Sequence, residues 1–182
     1  MKLMRTQHLL AFCLLGLLTL AGCNTSIVEK RATGLPYEVL VVMDKTDWNS
    51  EAGDMVKAQL TSPVPGLPQP EASMRITYSP KETFDGLLRY VRNILIVDID
   101  ATKYTQVSLS KSKDEWATGQ EVIKLSSPSS EELVTYLTLN EADIVNHFSK
   151  IEKERRVAIL KKNYSQLAMD KVQEKFNIRL CA

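Results

Sequence analysis

The order of apolar and polar positions along this chain predicts strands in its first two thirds and helices after them. Residues 37–43, Tyr-Glu-Val-Leu-Val-Val-Met, are nearly continuously apolar and rich in β-branched side chains, the pattern of a strand buried on both faces. Asp44 ends it, and Thr46 or Asp47 stands where a helix cap belongs. Trp48, Ala52, Met55, Val56 and Leu60 then share one helical face. Residues 62–71 hold Pro63, Pro65, Pro68, Pro70 and Gly66, which exclude regular structure. Residues 73–78 read as a strand. Ser79, Pro80 and Glu82 resemble a capping box with proline at the first helical position, and predict a short helix buried through Phe84, Leu87, Leu88 and Val91. Residues 93–100 are the most strand-like stretch and are expected at the centre of the sheet. Residues 104–111 predict a more exposed, antiparallel strand, residues 114–117 a strand start or a turn, and residues 120–125 a further strand.

The period changes after residues 126–130, Ser-Ser-Pro-Ser-Ser. Ser130 is placed to cap a helix carrying Leu133, Val134, Tyr136 and Leu137, and Asn140 to cap another. In the second, Ile144, Phe148 and Ile151 share one face, while Val157, Leu160, Tyr164 and Leu167 share a nearly opposite one, about 160° away. The run 152–156 between them is wholly charged. Either the helix bends there or its ends pack on different bodies; a solvated middle on one straight helix is the simpler expectation. Residues 176–182 alternate like the start of a strand that stops partway, as in a fragment of a longer protein. Together these elements predict an α+β fold: a mixed sheet with short helices in the first half and long helices covering one face.

The N-terminus has a different character. Lys2 and Arg5 precede residues 9–20, twelve residues without a charge. As a helix they reach about 18 Å, too short for a bilayer core of roughly 30 Å, so the run has the form of a signal peptide. Leu20-Ala21-Gly22-Cys23 follows and resembles the lipobox of bacterial lipoproteins. That resemblance implies cleavage after Gly22, a diacylglycerol on the Cys23 thiol and an acylated new N-terminus. An ordinary secreted protein with Cys23 as a free thiol is the alternative. Asn24, not aspartate, follows the cysteine, and no acidic cluster lies close behind it. The inner leaflet of the outer membrane, facing the periplasm, is the expected location. Residues 1–22 are thus a signal peptide, 23–34 a lipidated start and tether of about 35 Å reach, and 35–182 one domain.

Composition narrows the chemistry. Without its first 22 residues the chain keeps 160 of 182, and 21 of its 23 basic residues stand against 22 acidic ones. Such a balance carries no footprint for nucleic acid. Cys13 is removed with the signal, Cys23 takes lipid and Cys181 remains alone, so no internal disulfide forms. His147 is the sole histidine after Gly22, which argues against a typical zinc site and a serine-histidine-aspartate triad. No cofactor is expected.

Three groups of residues could carry function. Asp44, Asp98 and Asp100 end two predicted strands; if those strands are parallel neighbours, their carboxylates meet where α/β sheets bind ligands and could hold a hard cation. Acids also commonly end strands simply to cap the next turn. The proline loop presents Gln69 and Glu71 as a recognition surface, or is a stiff crossover. Trp116, with Asp114, Glu115 and Gln120 beside it, could stack on a sugar or cover the edge of the core. His147 reads as a surface or half-buried side chain.

Residues 34–39 (GLPYEV), Trp48, 66–71 (GLPQPE), 92–95 (RNIL), 114–117 (DEWA) and Gln120 are similar to those of a family of Bacteroidota lipoproteins known only as a domain of unknown function. The resemblance implies a location and a domain but no activity, and its longer members support reading this chain as a fragment. Two functions follow as expectations. The first is a lipid-anchored, non-enzymatic binding or assembly module, held at the membrane through Cys23, with an envelope protein or glycan as partner. The second is a lipid-anchored hydrolase acting on glycan or peptide with paired carboxylates.

Overall fold

The central sheet has the strand order β2-β1-β3-β5-β4 in a computed structural model that describes residues 29–163 and 165–178. Its strands are β1 (Glu38–Val42), β2 (Arg75–Ser79), β3 (Asn93–Ile99), β4 (Ser108–Lys113) and β5 (Glu121–Ser127). The first two, β3 and β5 run parallel; β4 is antiparallel to β5 and forms one edge. Among the described residues five α-helices accompany it: α1 (Lys45–Trp48), α2 (Glu51–Leu60), α3 (Ser130–Leu139), α4 (Asp143–Lys162) and α5 (Gln166–Phe176). The fold is α+β with a mixed sheet, and β3 lies at its centre as its double-sided apolar run predicts.

Alternation along each strand divides the core in two. Val39, Val41 and Met43, Leu95 and Val97, and Ile123 and Leu125 face the helices. There they meet Ala52, Val56 and Leu60 of α2, Leu133 and Leu137 of α3, and Ile144, Val145 and Phe148 of α4. The opposite face, through Leu40, Val42, Ile94 and Val122, is covered more thinly by Phe84, Leu88, Val91 and Trp116. The predicted helical face of α2 is the buried one. Gly53 lets that helix approach α1, since a Cβ there would stand 2.2 Å from the carbonyl oxygen of Trp48. Trp48 in turn stacks on Tyr78 at 4.5 Å between ring centroids.

Several expectations change. No α-helix follows Pro80: residues 81–83 and 86–90 are short 3-10 turns. Asp85 is extended and Gly86 has φ +49°, which breaks the turn between them, and Leu87, expected inside, is 83 % exposed. The first capping residue is Asp44, whose carboxylate accepts from Thr46 N at 2.9 Å; α2 starts anew after Ser50. Ser129, not Ser130, caps α3, and α4 is preceded by Ala142 in the left-handed region rather than capped by Asn140. Residues 166–176 are helical, so Phe176 ends a helix instead of opening a strand, and Asn177 closes it with φ +52°. Among the described residues no helix is long and apolar enough to cross a membrane.

Part of the stretch expected to be a tether is held against the domain. Arg31 and Thr33 form bridges to Thr118 and Val91, and Thr118 N donates to the Lys30 carbonyl at 2.8 Å. Residues 30–33 are therefore docked on the loops that precede β3 and β5. The segment expected to be a signal peptide, Cys23, Tyr164 and Cys181 lie outside the described residues.

The charged run 152–156 is a wet face only in part: Lys153, Glu154 and Arg156 are exposed, whereas Arg155 is half-buried and Glu152 buried. Glu152 is 2 % exposed, and its Oε1 accepts from Arg92 Nε at 3.0 Å, from Asn93 Nδ2 at 2.9 Å and from Arg155 Nη1. Arg155 also reaches Asn93 Oδ1 at 2.7 Å and the carbonyls of Arg92 and Gly119 at 3.2 and 2.7 Å. This network pins α4 across the N-terminal ends of β3 and β5. The opposite apolar face behaves differently: Val157 and Leu160 are exposed beyond the sheet.

Candidate functional site

The C-terminal ends of β1 and β3, parallel neighbours as the acid-pair hypothesis requires, gather Asp44, Asp47, Asp98 and Asp100. They do not form a cation cage: among the described residues no three acidic, histidine or cysteine side chains converge on a metal position. The reason is that protein donors already occupy their oxygens. Asp44 caps α1. Asp98 accepts from Lys81 Nζ and, at 2.6 Å, from the Tyr104 hydroxyl, with Lys103 Nζ 3.8 Å away. Asp100 accepts from the Thr102 hydroxyl and amide at 2.6 and 2.8 Å and pairs with Lys103 at 3.0 Å.

These surroundings push the acids apart. Burial raises Asp98, but the Lys81 and Tyr104 hydrogen bonds and the two ammonium charges outweigh it, so its carboxyl sits below the ordinary range. The Thr102 and Lys103 hydrogen bonds hold Asp100 far below it. Asp47 moves upward through burial and the negative charge of Asp44. A carboxyl with a lowered folded pKa stabilises the protein above its unfolded pKa, and that contribution disappears as pH falls through the folded value. Asp98→Asn should therefore be less stable than the parent at neutral pH and lose less on acidification. Urea midpoints between about pH 7 and pH 2 test this; parallel curves for the two proteins would refute it.

The proline loop borders a broad concavity. Val64 N donates to the Glu71 carbonyl at 2.9 Å, Pro63 bridges Ala72, and Ser73 N and Oγ both donate to the Ser62 carbonyl. The loop closes on itself in this way and stands opposite α4. Between them lies a cleft of about 800 Å³ whose lining includes Tyr37, Val64, Leu67, Glu71, Val145 and Lys153. Of the two loop residues singled out by sequence, Glu71 lines this cleft, whereas Gln69 is exposed outside the lining. Lys153 carried no sequence signal for the site, because only the fold brings α4 against the loop.

Asp114, Trp116 and Gln120 do come together, but largely for structural purposes. Gln120 is buried; its Oε1 accepts from Trp116 N at 3.1 Å, and its Nε2 donates to the Arg89 and Val91 carbonyls at 2.7 and 2.6 Å. It has no face for a ligand. Asp114, with φ +55°, accepts from the amides of Gly119 and Gln120 and closes the turn. Trp116 is half-buried, edge-on to Phe84 at 5.6 Å, with Lys124 Nζ 5.9 Å from its ring centroid. A shallow hollow beside it is lined by Glu29, Lys30 and residues 114–118. His147 is half-buried, and its Nε2 lies 2.6 Å from the buried Glu121 carboxylate.

The elements that build the sheet, its helical cover and the proline loop match one family model, described as a domain of unknown function (DUF8532), over residues 32–161. The chain belongs to this family. No curated protein and no solved structure matches it. The DUF8532 segment begins in the docked N-terminal strip and ends one residue before the end of α4, so it contains the cleft and the acid-rich sheet end alike, while α5 lies beyond it.

Proposed function

We propose that this DUF8532 protein is a lipoprotein of the bacterial cell envelope, of the Bacteroidota type, acylated on Cys23 and facing the periplasm from the inner leaflet of the outer membrane. Its domain serves there as a non-enzymatic binding or assembly module. The lipobox-like Leu20-Ala21-Gly22-Cys23 supports the anchor. The cleft between the proline loop and α4 carries the binding role: at about 800 Å³ it falls within the roughly 300–1,000 Å³ of ligand sites. Prolines reduce the entropy lost when such a loop is held against a partner. Apolar Val64, Leu67 and Val145, with Glu71 and Lys153 as charged groups, suit an extended protein segment better than a glycan.

In cells, Cys23→Ser should fractionate as soluble protein or uncleaved precursor; a variant still held by lipid would overturn the anchor. Pull-down from envelope extract should recover a defined protein with the parent and with Leu87→Glu, whose position is exposed elsewhere, but lose it with Leu67→Glu. Equal recovery with both variants would remove the cleft from consideration. One observation favours the hydrolase instead: Asp47 is shifted up and Asp98 down at the same sheet end, the divergence that acid and base roles need. Turnover of a peptide or glycan, lost in both Asp47→Asn and Asp98→Asn, would establish it.

A further inference from the structure

The body ends at Arg155 in the same place where the first described residues are docked. Arg155 donates to the carbonyls of Arg92 and Gly119, while the adjoining amides of Arg92 and Thr118 donate to Thr33 and Lys30. Beyond this point residues 156–163 are exposed and α5 buries no residue. Charge divides here too. Residues 29–155 carry 15 basic and 20 acidic side chains, a net of −5, whereas residues 156–178 carry 5 basic and 2 acidic, a net of +3. Large apolar side chains are exposed along this basic arm: Leu160 at 60 %, Leu167 at 68 % and Phe176 at 58 %. On α5, Met169, Val172 and Phe176 share one face at helical spacing; Lys175 borders it, Glu174 lies opposite, and Lys171 and Asp170 stand about equally far round on either side. Helices that lie in a bilayer interface combine an apolar face toward the acyl chains with a net positive charge at the headgroups, and α5 with the end of α4 offers both.

We propose that the end of α4 and α5 together form a peripheral contact with an anionic phospholipid surface. Its cellular setting rests on the Cys23 anchor: only residues 24–28 separate that cysteine from Glu29. Six steps of extended chain reach about 20 Å, so anchor and arm address the same bilayer. A second copy is the competing occupant of a basic arm. The acids at the C-terminal sheet end are poorly suited to receive it, because Lys81 and Lys103 already pair with Asp98 and Asp100.

The test uses unlipidated chain beginning at residue 23 with Cys23→Ser, which holds every described element and binds vesicles only through its own surface. It should sediment with vesicles containing phosphatidylglycerol, not with pure phosphatidylcholine, and salt should release it. The double variant Lys161→Glu/Lys162→Glu should bind about tenfold more weakly or worse, and Phe176→Trp should show blue-shifted emission on binding. These positions are exposed, so unchanged urea midpoints confirm that the fold is intact. No sedimentation, equal binding to neutral vesicles, or salt-sensitive dimerisation that the double variant abolishes would each overturn the proposal. Because the protein tested carries no lipid, failure here leaves the anchor to be judged separately by fractionation of Cys23→Ser in cells.

Discussion

Glu152→Ala should lower the free energy of unfolding by about 3–5 kcal/mol, the loss expected when a buried charge network is deprived of one partner. Its carboxylate is the acceptor on which Arg92, Asn93 and Arg155 converge. Removing it leaves two guanidinium groups facing one another at the ends of β3 and β5 without an anion between them. Glu152→Gln keeps the shape and an acceptor oxygen but not the charge, and should fall between the parent and the alanine variant. Urea unfolding at neutral pH measures both. A loss below about 1 kcal/mol for the alanine variant would match an exposed pair and contradict the buried network.

Phe148→Ala should cost a similar amount, about 3–5 kcal/mol, by a different mechanism. Phe148 is fully buried on α4 and packs in the cluster where α4 meets the sheet, α2 and α3. Truncation removes apolar surface and leaves a void that helices held by the Glu152 network relax into only partially. Phe148→Leu should recover more than half of the loss. Because Phe148 and Glu152 lie one turn apart on the same helix, the two losses should not be additive. A double variant that loses the full sum would show that they act on separate units.

How far the fold was legible follows from how local its causes are. Ile94, Leu95 and Val97 declare a central strand because parallel neighbours bury both faces, and no other element needs to be known. The helical face of α2 is equally self-contained. Phe84, Leu88 and Val91 mislead, because three apolar residues at that spacing suit a helix or a set of tight turns covering a sheet, and Asp85-Gly86 breaks the helix. Glu152 is hidden in a charged run. It lies four residues after Phe148, within the buried stripe, and that periodicity was the available signal; its partners Arg92 and Asn93 come from another element. Gln120 looked like a polar group offered to a ligand. Its amide instead satisfies three peptide groups of neighbouring loops, a demand set only by the tertiary structure. The cleft was half legible: prolines and Glu71 marked the loop, while α4 supplied the opposite wall.

The two edges of the sheet bear on how copies behave when crowded. An open row of peptide groups invites strands of neighbouring molecules to join it, the first step toward ribbons and insoluble assemblies. Along β4 the exposed Lys111 and Lys113 place like charges on any copy that approaches in register. On the other edge, exposed Arg75 opens β2 and Pro80, which lacks a donor, follows it directly. Both margins repel their own kind, so the molecule tolerates dense packing side by side while its backbone stays private.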